Sequence, residues 1–227
     1  MIKQRNKKGK SRGKWLKVII VVYVGLVLCN FVNDFSSRLG NTHTISGSEE
    51  WNLIVVNRWN DLPEDYSVTL TELSNGQKVD SRIYPYLQEM FDAARAEGIY
   101  PIVREGYRTA EEQQEILDDK IQAYINEGYS RARAEKTAQE WVALPGTSEH
   151  QLGGAVDINA DKSKCSNERV YEWLAENAYK YGFILRYPPG KRENTGISYE
   201  PWHYRYVGEE VAEEIYEREI CLEEYFE

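Results

Sequence analysis

The sequence predicts an α+β fold: a small, mainly antiparallel sheet flanked by helices and preceded by a single N-terminal transmembrane helix. Three observations point there. Apolar residues recur at helical spacing in some segments and alternate like strands in others, without the regular βαβ rhythm of a doubly wound sheet. A hydrophobic content of 41%, with six Trp and seventeen Tyr, belongs to a chain able to bury a core. Finally, a basic tip runs directly into an apolar segment. The 227 residues leave room for one ordinary domain, a membrane segment and a tether.

Residues 1–17 carry Lys3, Arg5, Lys7, Lys8, Lys10, Arg12, Lys14 and Lys17 and no acid. Setting these eight aside leaves 20 of the 28 basic residues against 37 acids, a formal −17 for the remainder. So acidic a body lacks the Lys and Arg that phosphate contacts need, which argues against nucleic acid as a partner. The tip leads into the apolar run Val18 to Cys29 and on through Asn30-Phe-Val32. Counted from Trp15, the run reaches the roughly 17-residue lower limit for a span if Lys17 snorkels to the interface. By the positive-inside rule, 1–17 is a cytoplasmic tip, 18–32 the anchor, and the rest of the chain lies outside the cytoplasm. Leu28-Cys29-Asn30 lacks the small residues of a signal-peptide or lipoprotein cleavage site, so the anchor is expected to stay uncleaved.

Residues 33–50 are polar and rich in small residues, a short stalk, and 51–227 form the domain. Leu53-Ile-Val-Val56 reads as a buried strand and Asn75-Gly76 as a tight turn. Ile83, Leu87, Met90, Phe91 and Ala94 mark a helix that Gly98 stops. Tyr100-Pro-Ile-Val103 is a strand. Thr109 with Glu112 makes a capping box for a helix over 110–127, ended by Gly128. Another helix is expected over Arg131–Val142, then a strand over Gly153–Ile158. Asn167 caps a helix carrying Val170, Trp173, Leu174, Ala178 and Tyr181. Strands come next at Phe183–Tyr187 and Trp202–Val207, and an acidic helix with a solvated face covers 209–224. Cys29 lies in the apolar segment. Cys165 and Cys221 are either a disulfide of an oxidising compartment or two free thiols, and spacing does not choose between them.

Of three histidines, His43 sits idle in the stalk. The others lie beside carboxylates, in Ser148-Glu-His-Gln-Leu-Gly-Gly-Ala-Val-Asp157 and Glu200-Pro-Trp-His-Tyr-Arg205. A catalytic zinc ion takes three His or Asp/Glu ligands and keeps a fourth position for water. The glycines between His150 and Asp157 let a loop and the next strand aim both at one point, and His203 arrives from a neighbouring strand at the sheet. Glu200, three residues earlier, is placed to face the water without ligating, as a general base must. A closed structural zinc site would want a fourth ligand, commonly cysteine. Arg108, with a permanent charge and five donors, suits a carboxylate or a developing oxyanion. Arg186 is a further candidate for neutralising a peptide carboxylate, and Tyr187 and Trp202 for lining the cleft.

These two segments resemble the Ser-x-His-x-x-Gly-x-x-x-Asp and Glu-x-Trp-His motifs of the VanY-type D-alanyl-D-alanine carboxypeptidases, part of a wider group with D,D-dipeptidases and L,D-carboxypeptidases of the bacterial wall. Gly106-Tyr-Arg-Thr-Ala-Glu-Glu-Gln113 resembles that family's Tyr-Arg-Ser-x-x-x-Gln stretch, with Thr109 in place of Ser. Tyr181-Gly-Phe-Ile-Leu-Arg-Tyr-Pro188 and Thr195-Gly196 are also similar, so the resemblance covers about 80–207. It implies one zinc ion on His150, Asp157 and His203, Glu200 as base, and Arg108 binding substrate and stabilising the oxyanion. It further implies that Ser148 and Gln113 contact the substrate's terminal part, and that the substrate is a peptidoglycan stem peptide or precursor losing a C-terminal D-alanine. The motifs alone do not separate this from L,D-carboxypeptidase or D,D-dipeptidase activity. A wall-binding module without catalysis is the remaining alternative, and it would have no need of Glu200.

Overall fold

A computed structural model describes residues 50–227. The expected tip, anchor and nearly all of the stalk, with Cys29 and His43, lie outside the described residues. Among the described residues no helix is long and apolar enough to cross a membrane.

The framework is a four-stranded antiparallel sheet in the order β3-β4-β6-β5, formed by Pro101–Glu105, Ala155–Ala160, His203–Tyr206 and Phe183–Leu185. Strand alternation divides it into two chemically different faces. Val156, Ile158 and Ala160 of β4 and Tyr204 and Tyr206 of β6 enter the main apolar core. There they meet helix α1 (Tyr84–Ala96), through Leu87, Met90, Phe91 and Ala94, and helix α4 (Asn167–Asn177), through Val170, Trp173 and Leu174. Each large apolar side chain buried this way contributes about 1.5–3 kcal/mol over exposure. Asp157, His203 and Arg205 occupy the intervening positions and turn to the opposite face.

A separate hairpin of β1 (Leu70–Glu72) and β2 (Lys78–Asp80) turns at Asn75-Gly76, where Gly76 takes φ +84° and Asn75 donates to Val103 O at 2.8 Å. Helix α2 (Ala110–Asn126) begins in the expected Thr109/Glu112 capping box and packs on α3 (Arg131–Ala138) through Leu117, Ile121, Ala134 and Ala138. A short helix α5 (Arg192–Thr195) precedes β6, and α6 (Glu209–Arg218) with α7 (Leu222–Tyr225) closes the chain.

Several expected elements take another form. Leu53 and Val56 are buried, but Trp51–Leu53 is a 3-10 turn that leads into irregular chain. Arg205 explains it, since its guanidinium donates to Asn52 O and Ile54 O, supplying from a side chain what a neighbouring strand would have supplied. Helix α3 stops at Ala138 and not Val142, because Arg58 and the Ser198 N–H take the carbonyls of Gln139 and Glu140. Ser166 caps α4, while Asn167 accepts from the Ala160 N–H. The last helix breaks at Glu219, the only non-glycine with positive φ (+53°) among the described residues. The break buries Leu222 and brings Glu223 to Arg186. Cys165 and Cys221 are both free.

A left-handed conformation costs a side-chain-bearing residue roughly 1–2 kcal/mol, part of which glycine's unfolded-state entropy returns. Glu219→Gly is therefore expected to raise stability by up to ~1 kcal/mol in denaturant unfolding. A loss of that size would mean that the Glu219 side chain, and not the chain reversal, is what matters there.

Candidate metal centre and cleft

The register of the central sheet brings the first two candidate ligands together. Asp157 of β4 lies directly opposite His203 of β6, and directly opposed Cβ atoms are about 4.5–5.5 Å apart. Asp157 Oδ1 sits 3.0 Å from His203 Nδ1. The third candidate comes from the 3-10 turn Glu149–Leu152 that leads into β4. Gly153 ends this turn with φ +74°. His150 points its Nδ1 at Gly106 O, 2.7 Å away. That bond fixes the tautomer, leaving the lone pair on Nε2, 3.5 Å from Asp157 Oδ1.

One ligand atom from each of His150, Asp157 and His203 falls within 4.8 Å of the others. Two imidazoles and one carboxylate, all largely buried, are the donor set that suits a divalent metal with one position left open. The His150 arrangement needs Gly106, because a Cβ there would lie 2.1 Å from the Lys78 carbonyl oxygen.

Electrostatics around the cluster are strong. Burial alone would raise the Asp157 carboxyl, but His150 and His203 beside it hold it far below the usual carboxylate range. Burial, and then Arg108, push His150 down to about 4, which keeps its ring neutral. Burial opposes charge on His203 too, but Asp157 and Glu149 outweigh it and lift the ring to about 9. Glu200 is buried just before β6, its Oε2 3.9 Å from His203 Nδ1. Burial pushes its carboxyl up to about 7 against the pull of His203. Glu200 O also accepts from the His203 N–H, so the candidate base and a candidate ligand share one turn.

Arg108 approaches Asp157 from the far side, with Nη2 3.4 Å from Oδ2. Its Nη1 donates to Gln113 Oε1 at 3.0 Å, and Gln113 Nε2 donates to Ala143 O at 2.8 Å. Gln113 is thus buried and largely occupied in steadying Arg108. Ser148 precedes the 3-10 turn, but its hydroxyl makes no capping bond. All seven of these side chains line an open cleft of about 400 Å³, together with Tyr187, Trp202, Trp141 and Ile116 among others.

One expectation fails. Arg186 is fully buried and engaged with Glu149 and Glu223, so it has no access to a peptide carboxylate. Sequence reasoning also misses one residue: Glu149, buried beneath His203 between Arg186 and Arg205. The signal is there to be read, since two arginines inside apolar strand segments need acids nearby.

Residues 76–209 match the sequence profile of VanY, D-alanyl-D-alanine carboxypeptidase. The chain is 60% identical to a D-alanyl-D-alanine carboxypeptidase of Enterococcus faecalis over 193 residues, 85% of this chain and 72% of the relative. Among solved structures it is similar to a vancomycin-resistance D,D-pentapeptidase VanY from a VanB-type resistance cassette in complex with Zn(II). That match has a TM-score of 0.78 at 60% identity, over 78% of this chain and all of the other. It is likewise similar to VanYB in complex with D-alanine-D-alanine, with a TM-score of 0.77 at 61% identity over 78% of this chain and 97% of that one.

The geometry sets two expected outcomes. His203→Ala is expected to abolish tight zinc binding in equilibrium dialysis, because only two of the candidate ligands remain. Gly106→Ala is expected to destabilise by ~2 kcal/mol or more and to weaken zinc binding, since the added methyl displaces the carbonyl that orients His150. Normal zinc affinity in Gly106→Ala would show that this carbonyl is dispensable.

Proposed function

This chain belongs to the VanY family of D-alanyl-D-alanine carboxypeptidases, and we propose that it removes the C-terminal D-alanine from peptidoglycan stem peptides or their precursors, with one zinc ion held by His150, Asp157 and His203 and with Glu200 as general base. The observation that carries this reading is a single cluster. Three candidate ligand atoms lie within 4.8 Å of one another, a buried carboxylate stands 3.9 Å from one of them, and a guanidinium flanks Asp157, all lining one open cleft.

Bound there, zinc supplies Lewis acidity, which polarises a carbonyl and makes water acidic near neutral pH. The chain's own residues do the rest. Glu200, whose burial matches its proton affinity to neutral pH, takes a proton from the attacking water and later returns it to the departing nitrogen. An O–H bond of water and the C–N peptide bond break while C–O and N–H bonds form. The products are a shortened peptide carboxylate and free D-alanine. Arg108 donates to the oxyanion that develops on the scissile carbonyl, and Gln113 holds its fork in place. Ser148 and the remaining amide N–H of Gln113 meet the terminal part of the substrate.

The second part of the proposal concerns place. The eight cations of 1–17 and the apolar 18–32 support a single-pass anchor with a cytoplasmic N-terminus. The 33–50 stalk then holds the domain on the outer face, where wall peptides are assembled.

Glu200→Ala is expected to bind zinc as tightly as the unaltered chain and to lose about 10²–10⁴-fold in turnover on a peptide ending in D-Ala-D-Ala; near-normal turnover would remove Glu200 as the base. Arg108→Ala should cost about 2.7–4 kcal/mol in the barrier, and Arg108→Lys should recover little, because the planar fork is gone. The full chain should stay in the membrane pellet through alkaline carbonate extraction, with its domain open to protease added to intact protoplasts. Recovery in the soluble fraction would contradict the anchor.

A further inference from the structure

One deeply buried carboxylate beside the cleft has no place in the chemistry above. Glu149 is 1% exposed, next in sequence to His150 yet turned away from the cleft toward the interior. Its Oε1 accepts from Arg186 Nε at 2.8 Å and lies 3.2 Å from Arg205 Nη1. Its other oxygen, Oε2, has no hydrogen-bond partner, and neither does His203 Nε2. These two orphaned atoms face each other at 3.8 Å, in side chains that are 0% and 4% exposed.

We propose that Glu149 is a positioning residue for the metal centre: its Oε2 accepts a hydrogen bond from His203 Nε2–H, holding His203 in the tautomer that presents Nδ1 to the metal. The inference rests on the reading of His150, Asp157 and His203 as zinc ligands. Three observations support it. His203 turns Nδ1 toward Asp157, so Nε2 necessarily points the other way, into the protein. Buried donors and acceptors without partners are costly, and here each orphan is the nearest remedy for the other. Both guanidiniums engage Glu149 through Oε1, Arg186 Nε at 2.8 Å and Arg205 Nη1 at 3.2 Å, which leaves Oε2 for the imidazole. A ligating histidine whose second nitrogen donates to a carboxylate has its ring orientation fixed and its basicity raised. The two terminal nitrogens of Arg186 donate to Glu223 of α7, away from His203.

The test uses the full-length chain. Zinc affinity is measured by competition against a chromophoric chelator for the unaltered protein, Glu149→Gln and Glu223→Gln, alongside thermal unfolding of each metal-free form. Glu149→Gln is expected to weaken zinc binding about 10–100-fold. Glu223→Gln, which removes a charge from the same buried cluster without touching His203, is expected to lower the Tm and leave the zinc Kd unchanged. An unchanged Kd in Glu149→Gln, or an equal loss in both variants, overturns the proposal and leaves Glu149 a structural counter-ion. If Glu149→Gln does not fold, long-range ¹H–¹⁵N correlation spectra of the zinc-loaded unaltered chain decide the matter. A proton on His203 Nε2 supports the assignment, and Nε2 ligation with a proton on Nδ1 overturns it. Failure of the unaltered chain to bind zinc at all would instead refute the metal reading on which the proposal stands.

Discussion

The site depends on one pairing, Asp157 of β4 opposite His203 of β6. The register that makes it also puts Val156 opposite Tyr204, on the face that enters the main core. A slip of one residue would exchange the faces, placing an aspartate in the apolar layer and a tyrosine over the cleft. Val156, Ile158, Tyr204 and Tyr206 hold the register against that. Apolar burial at about 1.5–3 kcal/mol per large side chain outweighs the ~0.5–1.5 kcal/mol net of any single hydrogen bond that a slipped ladder could regain. The hydrophobic core thus fixes the distance between two candidate metal ligands without touching either.

Around that pairing the chain fixes orientation by backbone and by charge. The loop after β3 must come close enough to β2 to offer Gly106 O to His150, which is possible only without a side chain at that position. Arg108 sits on the same loop, and its N–H donates to His150 O at 3.2 Å, so a candidate ligand and its neighbouring cation are tied through the main chain. Beneath the site, Arg186 and Arg205 share Glu149. Burying so many ions brings little net stability against an apolar alternative, since desolvation costs as much as pairing returns. Their arrangement is better understood as holding the cleft floor in one geometry.

Much of this is legible in the sequence, and the legible parts share a cause. The α1 stripe, the Thr109 capping box, the Asn75-Gly76 turn and the strands bearing Asp157 and His203 are local patterns whose period or turn chemistry is written in a few adjacent residues. The convergence of His150, Asp157 and His203 is readable from scarcity, as only two histidines lie outside the stalk and both stand beside carboxylates. The features that escape are set by contacts distant in sequence. The 51–56 segment is shaped by Arg205, some 150 residues away. The end of α3 answers to Arg58 and Ser198. Arg186 resembles a substrate ligand in the sequence because its partners, Glu149 and Glu223, are each 37 residues from it.

The central claim is that this cluster makes the chain a zinc carboxypeptidase acting on peptides that end in D-alanine. It is tested most directly by measuring free D-alanine released by the full chain from a stem pentapeptide ending in D-Ala-D-Ala and, separately, from the tetrapeptide. Each is measured with zinc present, with chelator, and after zinc is restored. The account predicts release from the pentapeptide that chelator abolishes and zinc restores, with little from the tetrapeptide. Release that survives complete removal of metal, or none from the pentapeptide by a demonstrably zinc-loaded protein, would contradict it.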